Sequence, residues 1–369
     1  MINSNLEKLA KVVVDYSLKV EKGHLVGING PSFAVDMFQA LTVEIIKKGA
    51  HARVVPQLEG ITELKFKYST DEQLEYVDYF EKGVYLEFDR IIEIRADYNS
   101  RKFSCIDPKK MALSRATPER KELMKLFEKR SSSGELRWIV IPYPCHAYAQ
   151  EANMDLFTYT DFVNKSLYLD KQNPIEHWQN MQTNQESIID YLNTVDEIHV
   201  IGKDTDLTLS VKGRKWINCC GERNLPDGEV YTGPIENKVN GHIRFSYPGI
   251  YFGQEIEDIY LEFKEGEVVK ATAQKGQEIL DEILKIENAR RLGEFAVGTN
   301  YGIAQFTKNM LFDEKLGGTL HCALGLGFEK TGSKNQSAVH WDILKDMTLP
   351  GSKIMADGKL IYEEGKWKI

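Results

Sequence analysis

Cysteine is scarce in this sequence, and no two cysteines stand in the CxxC spacing of thiolate metal sites. The chain has 369 residues and five cysteines, namely Cys105, Cys145, Cys219, Cys220 and Cys322. An odd number of cysteines in a chain of this length favours reduced thiols over a disulfide framework. The sequence therefore argues against a scaffold held together by disulfide bonds.

Long apolar runs are also absent. No segment approaches the roughly 18 consecutive apolar residues that a membrane span needs. The N-terminal stretch MINSNLEKLAKVVVDYSL mixes charged and apolar residues at helical spacing, and it lacks the uninterrupted apolar core of a signal peptide. We expect a soluble cytoplasmic protein that has no membrane partner.

An excess of positive charge and a complete phosphate-binding motif are missing as well. The net charge of -8 argues against nucleic acid as a non-specific partner, because few counterions would be released from a phosphate backbone. The stretch GING, residues 27 to 30, follows a predicted strand, but Ser32 and Phe33 come next and the GxGxxG spacing is absent. A tight strand-to-helix turn explains these glycines better than a nucleotide site does.

The first half of the chain alternates helical and strand patterns. Helices are predicted over residues 6–20, 34–48 and 118–130, and strands in HLVGIN, HARVVP, DRIIEIRA and LRWIVIPYP. Such alternation is typical of an α/β domain with a mainly parallel sheet.

The pattern changes after about residue 190. Strands then dominate, in VDEIHVIG, TDLTLSVKG, RKWINCC, GHIRFSYPG and DIYLEFKEGEVVKATA, and one helix is predicted over QEILDEILKIENARRLGE, residues 277–294. With the boundary placed near Tyr191, we expect an N-terminal α/β domain, 1–190, and a C-terminal α+β domain, 191–369, whose sheet is largely antiparallel and carries the functional site.

The stretch SAVHWDIL, residues 337–344, places a histidine and an aspartate inside an apolar run. Successive side chains of a strand point to opposite faces, so His340 and Asp342 share one face while Trp341 points to the other. An imidazole and a carboxylate on one face can hold a divalent metal, or they can hydrogen-bond to each other.

Further acidic and imidazole groups occur in apolar or glycine-rich settings of the second half, and each has a structural alternative. Glu229 follows a Pro-Asp-Gly turn that its carboxylate could cap, and Glu294 stands four residues after Arg290, the spacing of a helical ion pair. Glu314 has charged neighbours, which favours surface exposure, and His321 could be a core histidine bonded to a carbonyl.

Taken together, these residues form a ligand set. The candidates are Glu229, Glu294, Glu314, His321, His340 and Asp342. Three glutamates, one aspartate and two histidines can bind two divalent cations with a bridging carboxylate and can position a water between them. Oxygen and imidazole donors without thiolate suit Zn, Co, Mn or Mg and do not select one of them.

Several of these motifs resemble, in order and spacing, those of the thermophilic aminopeptidase T family, which includes the bacterial aminopeptidases S. The motifs are NLPDGEVYTGP, RRLGE, LFDEKLGGTLHCALG and SAVHWDIL, together with IPYPCHAYAQEANM in the first half and the C-terminal DGKLIYEEGK. The resemblance therefore covers most of the chain.

The resemblance implies a fold, a site and an activity. All six candidate residues fall on metal ligands of the family, and Glu294 is the position expected to bridge the metals or to face the nucleophilic water. The implied protein is a homodimeric dinuclear metalloaminopeptidase with an α/β N-terminal domain and a metal-bearing C-terminal domain. Its expected partners are two divalent cations per subunit and peptide substrates with a free N-terminus.

One position departs from the family pattern. Seven residues after its ligand histidine the family usually has a tyrosine that hydrogen-bonds to the reacting carbonyl oxygen, and this chain has Phe328 there. Loss of one such donor typically costs on the order of 100- to 1000-fold in turnover. The sequence thus also allows a slow enzyme, an enzyme that uses another donor such as Tyr301, or a metal-binding homologue that acts as a binding or scaffold protein.

Overall fold

The computed structural model describes residues 3–114 and 117–369. They form two compact units, the first comprising the chain up to Ile175 with Gly221–Leu225 and the second comprising Glu176–Cys220 with Pro226–Ile369. The sequence-based boundary near Tyr191 stands at the end of the helix Pro174–Leu192. Most of this helix is assigned to the second unit because Ile189 and Leu192 belong to that unit's hydrophobic core.

The first unit contains a four-stranded sheet. Its strands are β1 (Leu25–Pro31), β2 (His51–Gln57), β3 (Arg90–Arg95) and β4 (Arg137–Pro142). The spatial order is β2-β1-β3-β4, and every neighbouring pair is parallel. The expected α/β architecture with a parallel sheet is confirmed.

Nine α-helices belong to the described part of the first unit. They are α1 (Ser4–Lys11), α2 (Val35–Lys47), α3 (Ile61–Tyr68), α4 (Asp71–Glu75), α5 (Tyr79–Glu87), α6 (Pro108–Leu113), α7 (Pro118–Ser133), α8 (His146–Glu151) and α9 (Leu156–Ser166). A π-helical segment, Val12–Ser17, continues α1, so the helix predicted over residues 6–20 is present but changes its hydrogen-bonding pattern midway.

The glycines of GING lie within β1 and not in the turn that follows it. A Cβ atom on Gly30 would stand 2.6 Å from the Cβ of Ile94, and one on Gly27 would stand 3.1 Å from the ring of Phe88. Close packing of β1 against its neighbours therefore accounts for both glycines, which corrects the expectation of a tight strand-to-helix turn.

The second unit consists mainly of strands. They are β5 (Glu197–Gly202), β6 (Thr205–Ser210), β7 (Ile217–Cys219), β8 (Glu229–Thr232), β9 (Val239–Arg244), β10 (Gly249–Tyr251), β11 (Gln254–Ile256), β12 (Tyr260–Lys264), β13 (Glu267–Thr272), β14 (Leu292–Gly298), β15 (Thr319–Gly325), β16 (His340–Asp346), β17 (Lys353–Ala356), β18 (Lys359–Glu363) and β19 (Lys366–Trp367). The helices are α10 (Pro174–Leu192), α11 (Gln277–Ile283) and α12 (Met310–Asp313), and a 3-10 turn spans Glu329–Thr331.

These strands form two larger antiparallel sheets. The eight-stranded sheet has the order β13-β12-β9-β6-β5-β17-β18-β19, and the five-stranded sheet has the order β16-β15-β14-β8-β7. Val200 and Leu261 of the larger sheet share one hydrophobic core with Phe295 and Ile343 of the smaller one. The expected C-terminal α+β architecture with antiparallel sheets is confirmed.

The helix predicted over residues 277–294 is shorter in the structure. Helix α11 ends at Ile283, and the chain enters strand β14 at Leu292. Every residue of β14 is buried, and the strand pairs with both β15 and β8, so sheet packing overrides the local helical pattern. Glu294 therefore lies on a strand, and its predicted alternative as the helical partner of Arg290 is wrong.

In the described ranges, no helix combines the length and the apolar character needed to cross a lipid bilayer. All five cysteines lie in these ranges, and none of them forms a disulfide.

Candidate metal centre

One face of the five-stranded sheet carries five of the six candidate residues. In the register of strands β14, β15 and β16, Ala323 pairs with Glu294 on one side and with Asp342 on the other, while Gly325 pairs with His340. Because side chains alternate along a strand, these positions project on the same side of the sheet. We call this side the ligand face, defined by Glu229, Glu294, His321, His340 and Asp342.

Small residues separate the ligands on this face. Ala296 of β14 pairs with His321, and Gly298 pairs with Glu229. Their small size, with that of Ala323, leaves space between the longer acidic and imidazole side chains. The sheet register thus brings together side chains that are more than a hundred residues apart in sequence.

Glu294, His340 and Asp342 form the first group whose ligand atoms all lie within 4.8 Å of one another. The Nε2 atom of His340 stands 3.6 Å from Oε2 of Glu294 and 3.4 Å from Oδ1 of Asp342. The strand register confirms the expectation that His340 and Asp342 share a strand face. The 3.4 Å distance between Nε2 of His340 and Oδ1 of Asp342 shows that the two side chains also pair with each other.

Glu229, Glu294 and His321 form the second group. The Nε2 atom of His321 lies 3.3 Å from Oε1 of Glu294 and 3.4 Å from Oε2 of Glu229. Glu294 therefore turns one carboxylate oxygen toward each histidine, which is the arrangement of a carboxylate shared between two sites.

The donor atoms of these groups are buried and incompletely bonded. Among the described residues, Oε2 of Glu229, Oδ1 of Asp342 and Nδ1 of His321 have no hydrogen-bond partner although they are shielded from solvent. Burying carboxylate oxygens that lack hydrogen bonds is costly unless a nearby positive charge compensates them. The chemistry of the donor set thus fits divalent cations, with oxygen and imidazole ligands and no thiolate.

A backbone carbonyl orients the ring of His340. Its Nδ1 atom is 2.8 Å from the carbonyl oxygen of Leu326, and since a carbonyl only accepts, Nδ1 donates. The Nε2 atom that faces Glu294 and Asp342 is then the nitrogen available to a metal.

The acidic surroundings favour protonated histidines in the absence of metal. Burial alone would lower the pKa of His340, but the charges of Asp342 and Glu294 outweigh it and raise the pKa to about 10. In the same way, the hydrogen bond to Glu294 and the charge of Glu229 overcome burial and raise the pKa of His321 to about 9. Burial raises the pKa of Glu294, and the neighbouring carboxylates of Asp342 and Glu229 add to this effect.

Glu314, the sixth candidate, lies beside the second group and outside both triads. It follows helix α12, its side chain is 23% exposed, and its Oε2 atom is 2.8 Å from the Nζ atom of Lys315. Burial raises the pKa of Glu314 to about 7 against the opposing charge of Lys315. The surface position favoured by its charged neighbours is therefore only partly correct.

Sequence reasoning missed Lys315 and Tyr231. Lys315 is buried, with Nζ 2.5 Å from Oε1 of Glu229, and no local pattern in the charged run DEK signals this contact. Tyr231 shares the ligand face because it is two residues after Glu229 on β8, and this alternation was available from the sequence.

Two further groups lie close to Glu229. Cys219 and Asp227 each offer a ligand atom within 4.8 Å of the Glu229 carboxylate. Burial raises the pKa of the Cys219 thiol well above its ordinary value, and the neighbouring carboxylates reinforce this, so the group is a neutral thiol.

Phe328 lies where a hydroxyl was expected. Its ring is 4.9 Å from the ring of His340 and 5.8 Å from that of Tyr231. The alternative donor, Tyr301, has its hydroxyl 2.7 Å from the carbonyl oxygen of Gly365, to which it donates. The Tyr301 hydroxyl therefore uses its proton in a hydrogen bond to the turn between β18 and β19.

Comparison with known families supports the same chemistry. The family profile described as "Thermophilic metalloprotease (M29)" matches residues 2–367. Aminopeptidase T of Thermus thermophilus is 28% identical to this chain over 409 residues, which cover 98% of this chain and 95% of the relative. Aminopeptidase PepS of Streptococcus thermophilus is 27% identical, and aminopeptidase AmpS of Bacillus subtilis is 25% identical; each alignment covers 99% of this chain and 98% of the relative.

Solved structures share the fold. Wild-type AmpT from Thermus thermophilus superposes with a TM-score of 0.85 at 22% identity, and the alignment covers 99% of both chains. The 2,5-dihydroxypyridine dioxygenase from Pseudomonas putida aligns with a TM-score of 0.58 at 13% identity, over 100% of this chain and 98% of that one.

Proposed function

The chain belongs to the thermophilic metalloprotease (M29) family, and we propose that it is an aminopeptidase that removes N-terminal residues from short peptides with two divalent cations. As a member of this family it is a metal-dependent hydrolase. The observation that carries the finer proposal is the position of Glu294, whose two carboxylate oxygens face His321 and His340 separately. A carboxylate shared in this way suits a pair of neighbouring cations.

The residues divide into two ligand groups. Glu229 and His321 would hold one cation, with Glu314 beside them, and His340 and Asp342 would hold the other. Glu294 would serve both groups and face the water that attacks the peptide bond, which makes it the proposed catalytic residue. The donor set admits Zn, Co, Mn or Mg.

Cations in such a site lower the pKa of water toward neutrality and polarise a peptide carbonyl. The chain's own groups orient these reactants. The Leu326 carbonyl holds the His340 ring in place, and the buried setting of Glu294 excludes bulk water from the reacting atoms. A carboxylate beside the scissile bond would bind the substrate's free α-amine, and this contact would limit cleavage to the N-terminal residue.

We also propose that the protein acts as a cytoplasmic homodimer. Reduced cysteines agree with that compartment. Aromatic side chains around helices α4 and α5 support self-association, because Tyr76 is 70% exposed and Tyr79 and Phe80 are each 80% exposed.

Removal of metal is expected to abolish hydrolysis. After dialysis against EDTA, release of the anilide from an aminoacyl anilide should fall to background, and Zn²⁺ or Co²⁺ should restore it. Metal analysis by mass spectrometry before and after dialysis provides the control. Unchanged hydrolysis by a preparation shown to be metal-free would contradict the proposal.

The contact between Phe328 and His340 favours a second candidate, a metal-binding homologue that acts as a binding or scaffold protein. Stoichiometric metal without hydrolysis of any substrate in an aminoacyl panel would favour this candidate over the enzyme.

The variant Phe328→Tyr is expected to raise turnover by about 10- to 100-fold, because it adds a hydroxyl beside the metal ligands. The measurement is kcat at constant metal content. Phe252→Tyr is the matched control, because Phe252 is 71% exposed and lies in the turn between β10 and β11. Equal rates for the wild type and Phe328→Tyr would show that the missing hydroxyl does not limit catalysis.

A further inference from the structure

Lys315 places a positive charge inside the acidic site. Its side chain is 2% exposed, and its Nζ atom is 2.5 Å from Oε1 of Glu229 and 2.8 Å from Oε2 of Glu314. A lysine is almost never fully buried unless its charge is paired. Here both partners are candidate metal ligands, so the ammonium and a divalent cation would use the same carboxylates.

The backbone on both sides of Lys315 is fixed. Its amide donates to the carbonyl of Phe312, and its own carbonyl accepts from the amide of Asn300. Nearby, the Asp313 carboxylate accepts two hydrogen bonds from Thr307, one from its amide and one from its hydroxyl. The hydrogen bonds of this segment therefore hold the ammonium of Lys315 in position against Glu229 and Glu314.

The two ligand groups differ in whether a lysine pairs with their carboxylates. Among the described residues, the ion pairs of Glu294 and Asp342 are made with histidines alone. Glu229 divides its oxygens, with Oε1 on Lys315 and Oε2 toward His321. A cation at the Glu229 end meets the Lys315 ammonium, which is not one of the candidate ligands and keeps its charge. At the other end the positive charge belongs to His340, which loses its proton when it becomes a ligand.

We propose that Lys315 is a positioning residue that makes the two cation positions unequal in affinity. This inference rests on the proposed two-cation site. The ammonium holds Glu229 and Glu314 in place and competes with a divalent cation for them. The position formed by Glu294, His340 and Asp342 fills first, and the position formed by Glu229, Glu294 and His321 fills only at higher cation concentration.

Titration of the metal-free protein, residues 1–369, with Co²⁺ tests this inference. Binding is followed by calorimetry and by the visible absorption of the bound ion, and Zn²⁺ is titrated in parallel. The wild type should bind one cation with a Kd at least tenfold lower than that of the second. In Lys315→Met the second Kd should fall at least tenfold, because the competing charge is gone.

Lys345→Met is the matched control. Lys345 is also a buried lysine of the second unit, but its Nζ atom donates to the carbonyls of Lys203 and Arg244 and not to a carboxylate. This variant should keep the wild-type difference between the two Kd values. Lys315→Arg, which retains the charge, should keep it as well, and Lys315→Gln supplies a second neutral variant if Lys315→Met does not fold.

Equal affinities in the wild type would overturn the inference, and so would an unchanged or weaker second site in both neutral Lys315 variants. If the wild type binds only one cation, the inference is supported when Lys315→Met or Lys315→Gln binds a second cation. It is contradicted when neither variant does. These outcomes differ from failure of the proposed function, in which the wild type binds no divalent cation or hydrolyses no substrate when loaded.

Discussion

Replacing Glu294 by glutamine is expected to lower kcat by about 10³-fold or more. The neutral amide offers one oxygen in place of two charged ones, yet Glu294 faces both His321 and His340. The substitution therefore weakens both ligand groups at once and removes the proposed catalytic carboxylate. Turnover of an aminoacyl anilide and metal content per chain are the two measurements.

The control for this variant is Glu282→Gln. Glu282 lies on α11 with a side chain that is 70% exposed, and it pairs with Lys285 at the surface, where such ion pairs contribute little. Its turnover should equal that of the wild type within about twofold. If Glu294→Gln retained wild-type turnover with the same metal content, Glu294 would have no role in the reaction.

Without metal, the protein is expected to become less stable to heat as the pH rises, with an unfolding temperature on the order of 10 °C lower at pH 9 than at pH 6. In the fold, the hydrogen bond and charges around His321 raise its pKa to about 9 and those around His340 raise its pKa to about 10, both above the ordinary 6.5. The stabilisation by each histidine is complete below pH 6.5 and is lost as the pH rises through its folded-state pKa.

Glu314 acts in the same direction. Burial raises its pKa from 4.5 to about 7, so the folded state keeps a proton that the unfolded state has already released. Its contribution to stability therefore falls as the pH rises from 4.5 to 7.

Bound cations should reverse this trend. Metal and protons compete for the same imidazole nitrogens and carboxylate oxygens, so stabilisation by Zn²⁺ or Co²⁺ should grow between pH 6 and pH 9. Thermal unfolding with and without metal measures both effects. His340→Gln should flatten the pH profile, because it removes one of the two histidines whose pKa the fold raises. A metal-free wild type with a constant unfolding temperature from pH 6 to pH 9 would refute this account.

Local sequence patterns were sufficient for much of the fold. The alternation of β1, α2 and β2 could be predicted directly from the sequence. The spacing of apolar residues in each of these segments agrees with the secondary structure that the segment adopts. The segment after residue 283 could not be read in this way. Its helical pattern continues to Glu294, but β14 occupies the middle of a buried sheet, and pairing on both edges decides its conformation.

By itself, the sequence determined the two architectures and supplied the candidate metal ligands, because side-chain type and strand alternation are local properties. It placed His340 and Asp342 on one strand face for that reason. The tertiary structure alone decided which groups meet. Strand register set Glu294 between His321 and His340, and the segment that follows α12 placed Lys315 against Glu229. Such contacts depend on pairing between distant strands and on burial, and neither can be read from neighbouring residues.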